Sequence, residues 1–191
     1  MIRVVVVDDH PALRAGLQTV LQSEPGIVFA GESSGEEESL WPLLKRVEPD
    51  LILLDYHLPK GDGMQLCYRI KQQVPAPRVI IFSAYASPEL VLSGRLAKAD
   101  AILSKGLGAR ELFEAIRRVN AGEELIGEPS ATSLYDAQAL IGEEDRAIVG
   151  MLLDGSTELE IARTIRREVA DIRHVVQRTL SALRHSAPVT N

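Results

Sequence analysis

Four short apolar runs recur along the first part of this chain, and each stops at a polar residue of a particular kind. Val4-Val5-Val6-Val7 gives way to Asp8 and Asp9, and Leu51-Ile52-Leu53-Leu54 to Asp55. Val79-Ile80-Ile81-Phe82 ends at Ser83, and Ala101-Ile102-Leu103-Ser104 at Lys105. A continuous apolar run of strand length, followed by residues at helical spacing, marks a strand of a parallel sheet buried on both faces. The pattern predicts strands near 2–8, 27–31, 50–55, 78–83 and 100–103, and helices near 11–23, 35–46, 63–73, 87–97 and 108–121. The first helix shows the spacing plainly, with Leu13, Leu17, Val20 and Leu21 on one face and Arg14, Gln18 and Gln22 opposite. Five strand–helix units with short joints define an α/β fold, a doubly wound, flavodoxin-like five-stranded parallel sheet.

Past residue 121 the strand pattern is absent, which divides the chain into 1–121, a linker at 122–140, a helical domain at 141–185 and a tail at 186–191. Gly122, Gly127, Pro129, Ser130, Thr132 and Ser133 give the linker loop composition, with at most a short helix around Tyr135–Leu140. A helix opens at Glu143 and stops at Gly155; Thr157 caps a second through Ile165, with Glu160 completing a capping box; a third runs from about Val169 to Leu183. Three short helices with a tight turn between the last two suggest a small all-α helix-turn-helix domain. On the third, the stripe Ile172, Val175, Val176, Leu180 and Leu183 is core, which leaves Arg173, His174, Gln177, Ser181 and Arg184 on the other face.

Net charge is −6, which by itself argues against nucleic acid, but its distribution matters more. The first 121 residues are nearly balanced and the acidic excess lies after them, whereas Arg163, Arg166, Arg167, Arg173, Arg178 and Arg184 face only Glu168 and Asp171 within their own segment. A single cysteine, Cys67, falls on an apolar helix face and suits a reducing compartment. With no charged leader and no long apolar segment, the expected location is cytoplasmic, without a membrane span.

Candidate chemistry follows from the strand ends. In a doubly wound sheet the carboxyl ends of the strands share one rim, where ligands bind, so Asp8, Asp9, Asp55, Ser83 and Lys105 should converge. One Asp ending a strand is ordinarily a turn former or a helix cap; five such residues at four strand ends are not independent caps. Three crowded carboxylates need a cation among them, and hard oxygen donors favour Mg²⁺. That combination suits movement of a phosphoryl group. His10, followed by Pro11, reads as a residue opening the first helix rather than as a general base, and Glu36-Glu37-Glu38 as a solvated helix start.

Asp8-Asp9-His10-Pro11 with Arg14, Gly16 and Leu17, then Leu54-Asp55-Tyr56-His57-Leu58-Pro59 with Gly63, Ser83-Ala84 and Ser104-Lys105, resembles the receiver domain of bacterial response regulators of the NarL/FixJ type. The resemblance implies that Asp55 accepts a phosphoryl group from a sensor histidine kinase. It implies Mg²⁺ held by Asp8, Asp9, Asp55 and the backbone carbonyl of His57, and phosphoryl oxygens held by Ser83, Ala84 and Lys105. Where that family usually has an aromatic three residues before the lysine, this chain has Ile102, a departure at the position of the usual Ser–aromatic switch. Tyr85 is left either to contribute to switching or to shield the phosphate.

The segment from Gly155 to Ile165 resembles the scaffold helix of LuxR-type DNA-binding domains. By that likeness Arg173, His174, Gln177, Arg178 and Ser181 enter the major groove of double-stranded DNA, with a homodimer reaching paired half-sites. Arg166, Arg167 and Glu168 replace the turn glycine, apolar residue and serine cap of that family, and Asp171 its phosphate-binding threonine. Two functions therefore stand: a DNA-binding transcriptional regulator, or a phosphorylation-controlled module whose degenerate helix-turn-helix binds protein. A second alternative, a hydrolase of the phosphoaspartyl type using the same rim, lacks any substrate-capping insertion in the first 121 residues, so no enzyme is expected.

Overall fold

A computed structural model describes residues 1–59, 61–84 and 89–186. β1 (Ile2–Val7), β2 (Ile27–Ser33), β3 (Leu51–Asp55), β6 (Arg78–Ser83) and β7 (Ala101–Ser104) form one parallel sheet in the order β2-β1-β3-β6-β7. Between them, β4 (His57–Leu58) and β5 (Gly61–Asp62) make a small antiparallel ribbon that the apolar pattern does not announce, since two-residue strands carry no periodicity. The central strands are buried along their length, Val4 to Val7 and Leu51 to Leu54 being at most 1% exposed. Each such side chain contributes about 1.5–3 kcal/mol of burial, which is why these runs occupy the middle of the sheet.

Register then places the chemistry. Val7 lies opposite Leu54, Asp55 opposite Phe82, and Ser83 opposite Ser104. The residues that end or follow these strands thus stand side by side on one rim.

Helices α1 (Pro11–Gln22), α2 (Glu37–Val47), α3 (Gly63–Ile70) and α5 (Ala109–Asn120) belong with the sheet. α5 buries Leu112, Phe113, Ile116 and Val119 in the core with Leu17, Leu21, Ile80 and Phe82. Lys71 and Arg78, each 2.7 Å from the buried Asp100, neutralise a carboxylate that also accepts the Val79 N–H. Gly63 approaches the sheet so closely that a Cβ there would lie 2.2 Å from the Asp55 carbonyl oxygen and 2.8 Å from Tyr56 Cα.

A second compact unit comprises residues 87–97 and 127–191, the first being residues 1–86 and 98–126. It holds α4 (Glu89–Leu96), α6 (Ala131–Leu140), α7 (Glu143–Leu153), α8 (Glu158–Ile165) and α9 (Val169–Ser186). α4 packs on α6, α7 and α9 although it falls between two sheet strands in the chain. Arg95 near its end donates to the Gly127 carbonyl at 2.9 Å and to Glu128 at 2.6 Å. Within this unit Ile148, Val149, Ile161, Ala162, Ile172, Val175, Val176 and Leu180 are buried. α6 begins earlier than the expected Tyr135 because the Ser130 hydroxyl accepts the Ser133 N–H at 3.0 Å, a cap inside what reads as loop composition. Among the described residues no helix is long and apolar enough to cross a membrane.

Candidate functional site

The rim is built from four strand ends. Lys105 Nζ stands 2.6 Å from Asp8 Oδ2 and 2.9 Å from Asp55 Oδ2, joining residues that follow or end three different strands. Its backbone N–H donates to the Ser83 carbonyl at 2.7 Å, which fixes the start of its side chain beside β6. Asp8 and Asp55 are each 2% exposed. Two carboxylates so buried are tolerated because one ammonium serves both.

Burial is the strongest influence on Asp55 and raises its carboxyl above the usual range; the Asp8 charge adds to the rise, while Lys105 and the His57 N–H, which donates to Oδ1 at 3.2 Å, oppose it. Burial works to lower Lys105, but the hydrogen bonds and charges of Asp8 and Asp55 outweigh it and hold the ammonium above its ordinary value. The lysine is therefore a fixed cation at neutral pH.

Local structure explains each position. The Asp8 side chain accepts the His10 N–H at 2.8 Å and its carbonyl accepts from Arg14 at 2.7 Å, so the turn from β1 into α1 holds Asp8 facing the rim. Asp62 caps α3 by accepting the Met64 N–H at 2.8 Å, and Gly63 N–H donates to the Tyr56 carbonyl at 3.1 Å. That contact folds the 57–62 ribbon back against the end of β3.

Asp8, Asp9, His10 and Asp55 each present one ligand atom, all within 4.8 Å of one another. Asp9 Oδ1 and Asp55 Oδ2 are buried, the first 2.7 Å from His10 Nδ1 and the second 2.9 Å from Lys105 Nζ. Three carboxylates gathered in this way, with one ammonium among them, fit a divalent cation with oxygen ligands.

The structure brings Asp8, Asp9, Asp55 and Lys105 together, with Ser83 fully buried at the end of the neighbouring strand and Ala84 exposed just beyond it. His57 follows Asp55 closely; its ring is exposed and packs edge-on against Tyr56 at 4.5 Å. Ile102 is half-buried and its N–H donates to the Leu125 carbonyl at 3.3 Å. Tyr85 and residues 187–191 of the tail lie outside the described residues.

His10 opens α1 as its sequence reading expects. It occupies the N-cap position of α1, but its side chain caps nothing; the ring turns to Asp9 at 2.7 Å and Asp8 at 3.2 Å. The signal available was its adjacency to two aspartates.

On α9 the expected DNA-reading face is divided. Arg173 Nε pairs with the buried Glu158 of α8 at 3.1 Å, and Arg178 donates to both oxygens of the buried Asp145 of α7 at 3.1 and 2.8 Å. His174 is exposed, and Gln177 and Ser181 are half-buried. Asp171 accepts the Glu168 N–H at 3.3 Å, a cap at the start of α9.

Comparison with known proteins adds the following. Residues 4–117 match the family model described as the response regulator receiver domain. The chain is 29% identical to the DNA-binding transcriptional activator DevR/DosR of Mycobacterium tuberculosis, over 96% of this chain and 88% of that protein. It is 28% identical to the nitrate/nitrite response regulator protein NarL of Escherichia coli, over 85% of this chain and 80% of that protein. The crystal structure of a LuxR-family two-component response regulator from Aurantimonas is similar with a TM-score of 0.61 and 26% identity, covering 73% of this chain and 99% of that one.

Proposed function

The chain belongs to the response regulator receiver domain family, and on that premise we propose that it is a two-component response regulator, phosphorylated on Asp55 and acting on transcription through DNA. The observation that carries the reading is the Lys105 ammonium shared between Asp8 and Asp55 at the ends of separate parallel strands.

Asp55 acts as the nucleophile toward a sensor kinase's phosphohistidine. One of its oxygens bonds to phosphorus, the P–N bond breaks with its electron pair leaving on the imidazole, and an aspartyl phosphate remains. Asp8, Asp9 and Asp55, with the His57 carbonyl, would hold Mg²⁺, which when bound neutralises charge on acceptor and transferring group. Lys105 is placed to follow the charge from carboxylate to phosphoryl oxygen, and the Ser83 hydroxyl and Ala84 N–H to hold another oxygen. The helix-turn-helix of α8 and α9 is the output element, reaching duplex DNA as a homodimer over paired half-sites. Its donor kinase and its DNA are both met in the cytoplasm.

Labelling by a small phosphodonor, with and without Mg²⁺, tests the acceptor. Wild type should label only with the metal and Asp55→Asn not at all; label surviving the substitution overturns the assignment. Binding of both proteins to duplex DNA then tests the output. Absence of binding at low salt even after phosphorylation would leave the protein-interaction alternative in its place.

A further inference from the structure

Four of the six arginines from Arg163 to Arg184 fall into two groups, Arg163 and Arg184 being exposed on α8 and α9. Arg173 and Arg178 on α9 are each held by a buried acid, Glu158 and Asp145. Drawing Arg178 away to a phosphate would take from the buried Asp145 the guanidinium that meets both its oxygens, which the fold resists. Arg166 and Arg167, in the turn between α8 and α9, are exposed, and no described residue lies at ion-pair distance of either. Asp171 makes no ion pair with them, its carboxylate being turned onto the Glu168 N–H, although its charge offsets part of their field. Glu168 is the exposed acid beside them and offsets part of their field.

A second observation concerns the backbone. Arg166 has φ 55° and ψ 49°, the left-handed conformation in which a helix usually ends on glycine. A Cβ is disfavoured there. The Arg167 N–H donates to the Ala162 carbonyl at 2.9 Å, so the turn's backbone is fixed while both side chains extend from it. In a helix-turn-helix the first helix crosses the DNA backbone and the second enters the major groove. Their joint therefore lies where phosphates run along the groove edge, and a guanidinium matches phosphate oxygens in pairs.

Resting on the DNA-binding reading above, we propose that Arg166 and Arg167 form the phosphate-gripping edge of this domain, and that Arg173 and Arg178 are structural rather than base-reading. Arg163 on α8 and Arg184 on α9 are exposed as well, so the turn supplies a part of the charge-dependent affinity, and that part is indifferent to sequence.

The test uses the full chain, phosphorylated by a small donor, with a fluorescent random-sequence duplex titrated from about 50 to 200 mM salt. Arg166→Gly and Arg167→Ala should each lower the slope of log K against log salt by about 1 and weaken binding alike on every duplex. Arg166→Gly should melt no lower than wild type, since it relieves the left-handed position, so loss of binding there is not loss of fold. Unchanged slopes in both variants, with wild type binding, overturn the proposal. So does a lowered slope in Arg173→Ala or Arg178→Ala without a lowered melting temperature. If wild type binds no duplex at low salt, the DNA-binding reading fails and the proposal falls with it, a result distinct from the first two.

Discussion

Truncating Lys105 would leave Asp8 and Asp55 facing one another, buried and without a counter-charge. Lys105→Ala should lose about 3 kcal/mol of stability, the usual cost of breaking a buried pair, and added Mg²⁺ should restore more stability to it than to wild type; thermal melts with and without the metal read this. Asp55→Asn should act in the opposite direction. The folded carboxyl sits above its unfolded value because of burial and then Asp8, so folding favours the protonated form. The stability from this group is complete below the unfolded carboxylate range and declines as pH rises through the raised folded value. At neutral pH the amide variant should therefore be more stable than wild type while accepting no phosphoryl group; equal or lower stability in chemical denaturation would contradict this. These acids are legible in the sequence because each sits where an apolar run stops. The ring of His10 is not, since local pattern places its backbone but not its χ angles.

At the level of elements, two junctions govern how the site and the output helix are held. Gly63 lets the start of α3 touch the end of β3, and Gly63→Ala would drive a methyl group into the Asp55 carbonyl and Tyr56. Overpacking of that kind costs about 1–3 kcal/mol, and phosphorylation rate should fall with it; a variant labelled at the wild-type rate would show that the strand end need not be held this closely. Thr157 and Glu160 close a capping box at α8, with the Thr157 N–H donating to Glu160 at 2.8 Å. Thr157→Ala should cost about 1 kcal/mol. The backbone N–H and hydroxyl of Thr157 hold Glu160 below its ordinary value, so the Glu160 side of the box stabilises above the unfolded carboxylate range and stops doing so as pH falls through the depressed folded one. Circular dichroism of the variant across acid pH should show a shallower decline than wild type. This box is visible in the sequence as Thr157 followed three residues on by Glu160. The partners of Arg173 and Arg178 are not, because Glu158 and Asp145 reach them only through tertiary packing.

For the molecule as a whole, the order of units in space is not the order along the chain. Alternating strands and helices announce the sheet and its topology, but periodicity says nothing about which neighbour an amphipathic helix will choose. α4 buries Leu90, Leu92 and Leu96 and packs with α6, α7 and α9, although β6 and β7 flank it in sequence. A fragment beginning at residue 127 lacks that helix, so it should melt well below the same region in the full chain, and a peptide spanning Glu89 to Ala97 added in trans should raise its midpoint. A fragment as stable alone as in place would show that α4 is dispensable to the second unit. The polypeptide thus passes from the first unit to the second and back before crossing for good. An output region stitched in by three crossings cannot be traded between proteins by one recombination event at the linker, so its inheritance should be tied to that of the sensor-facing half.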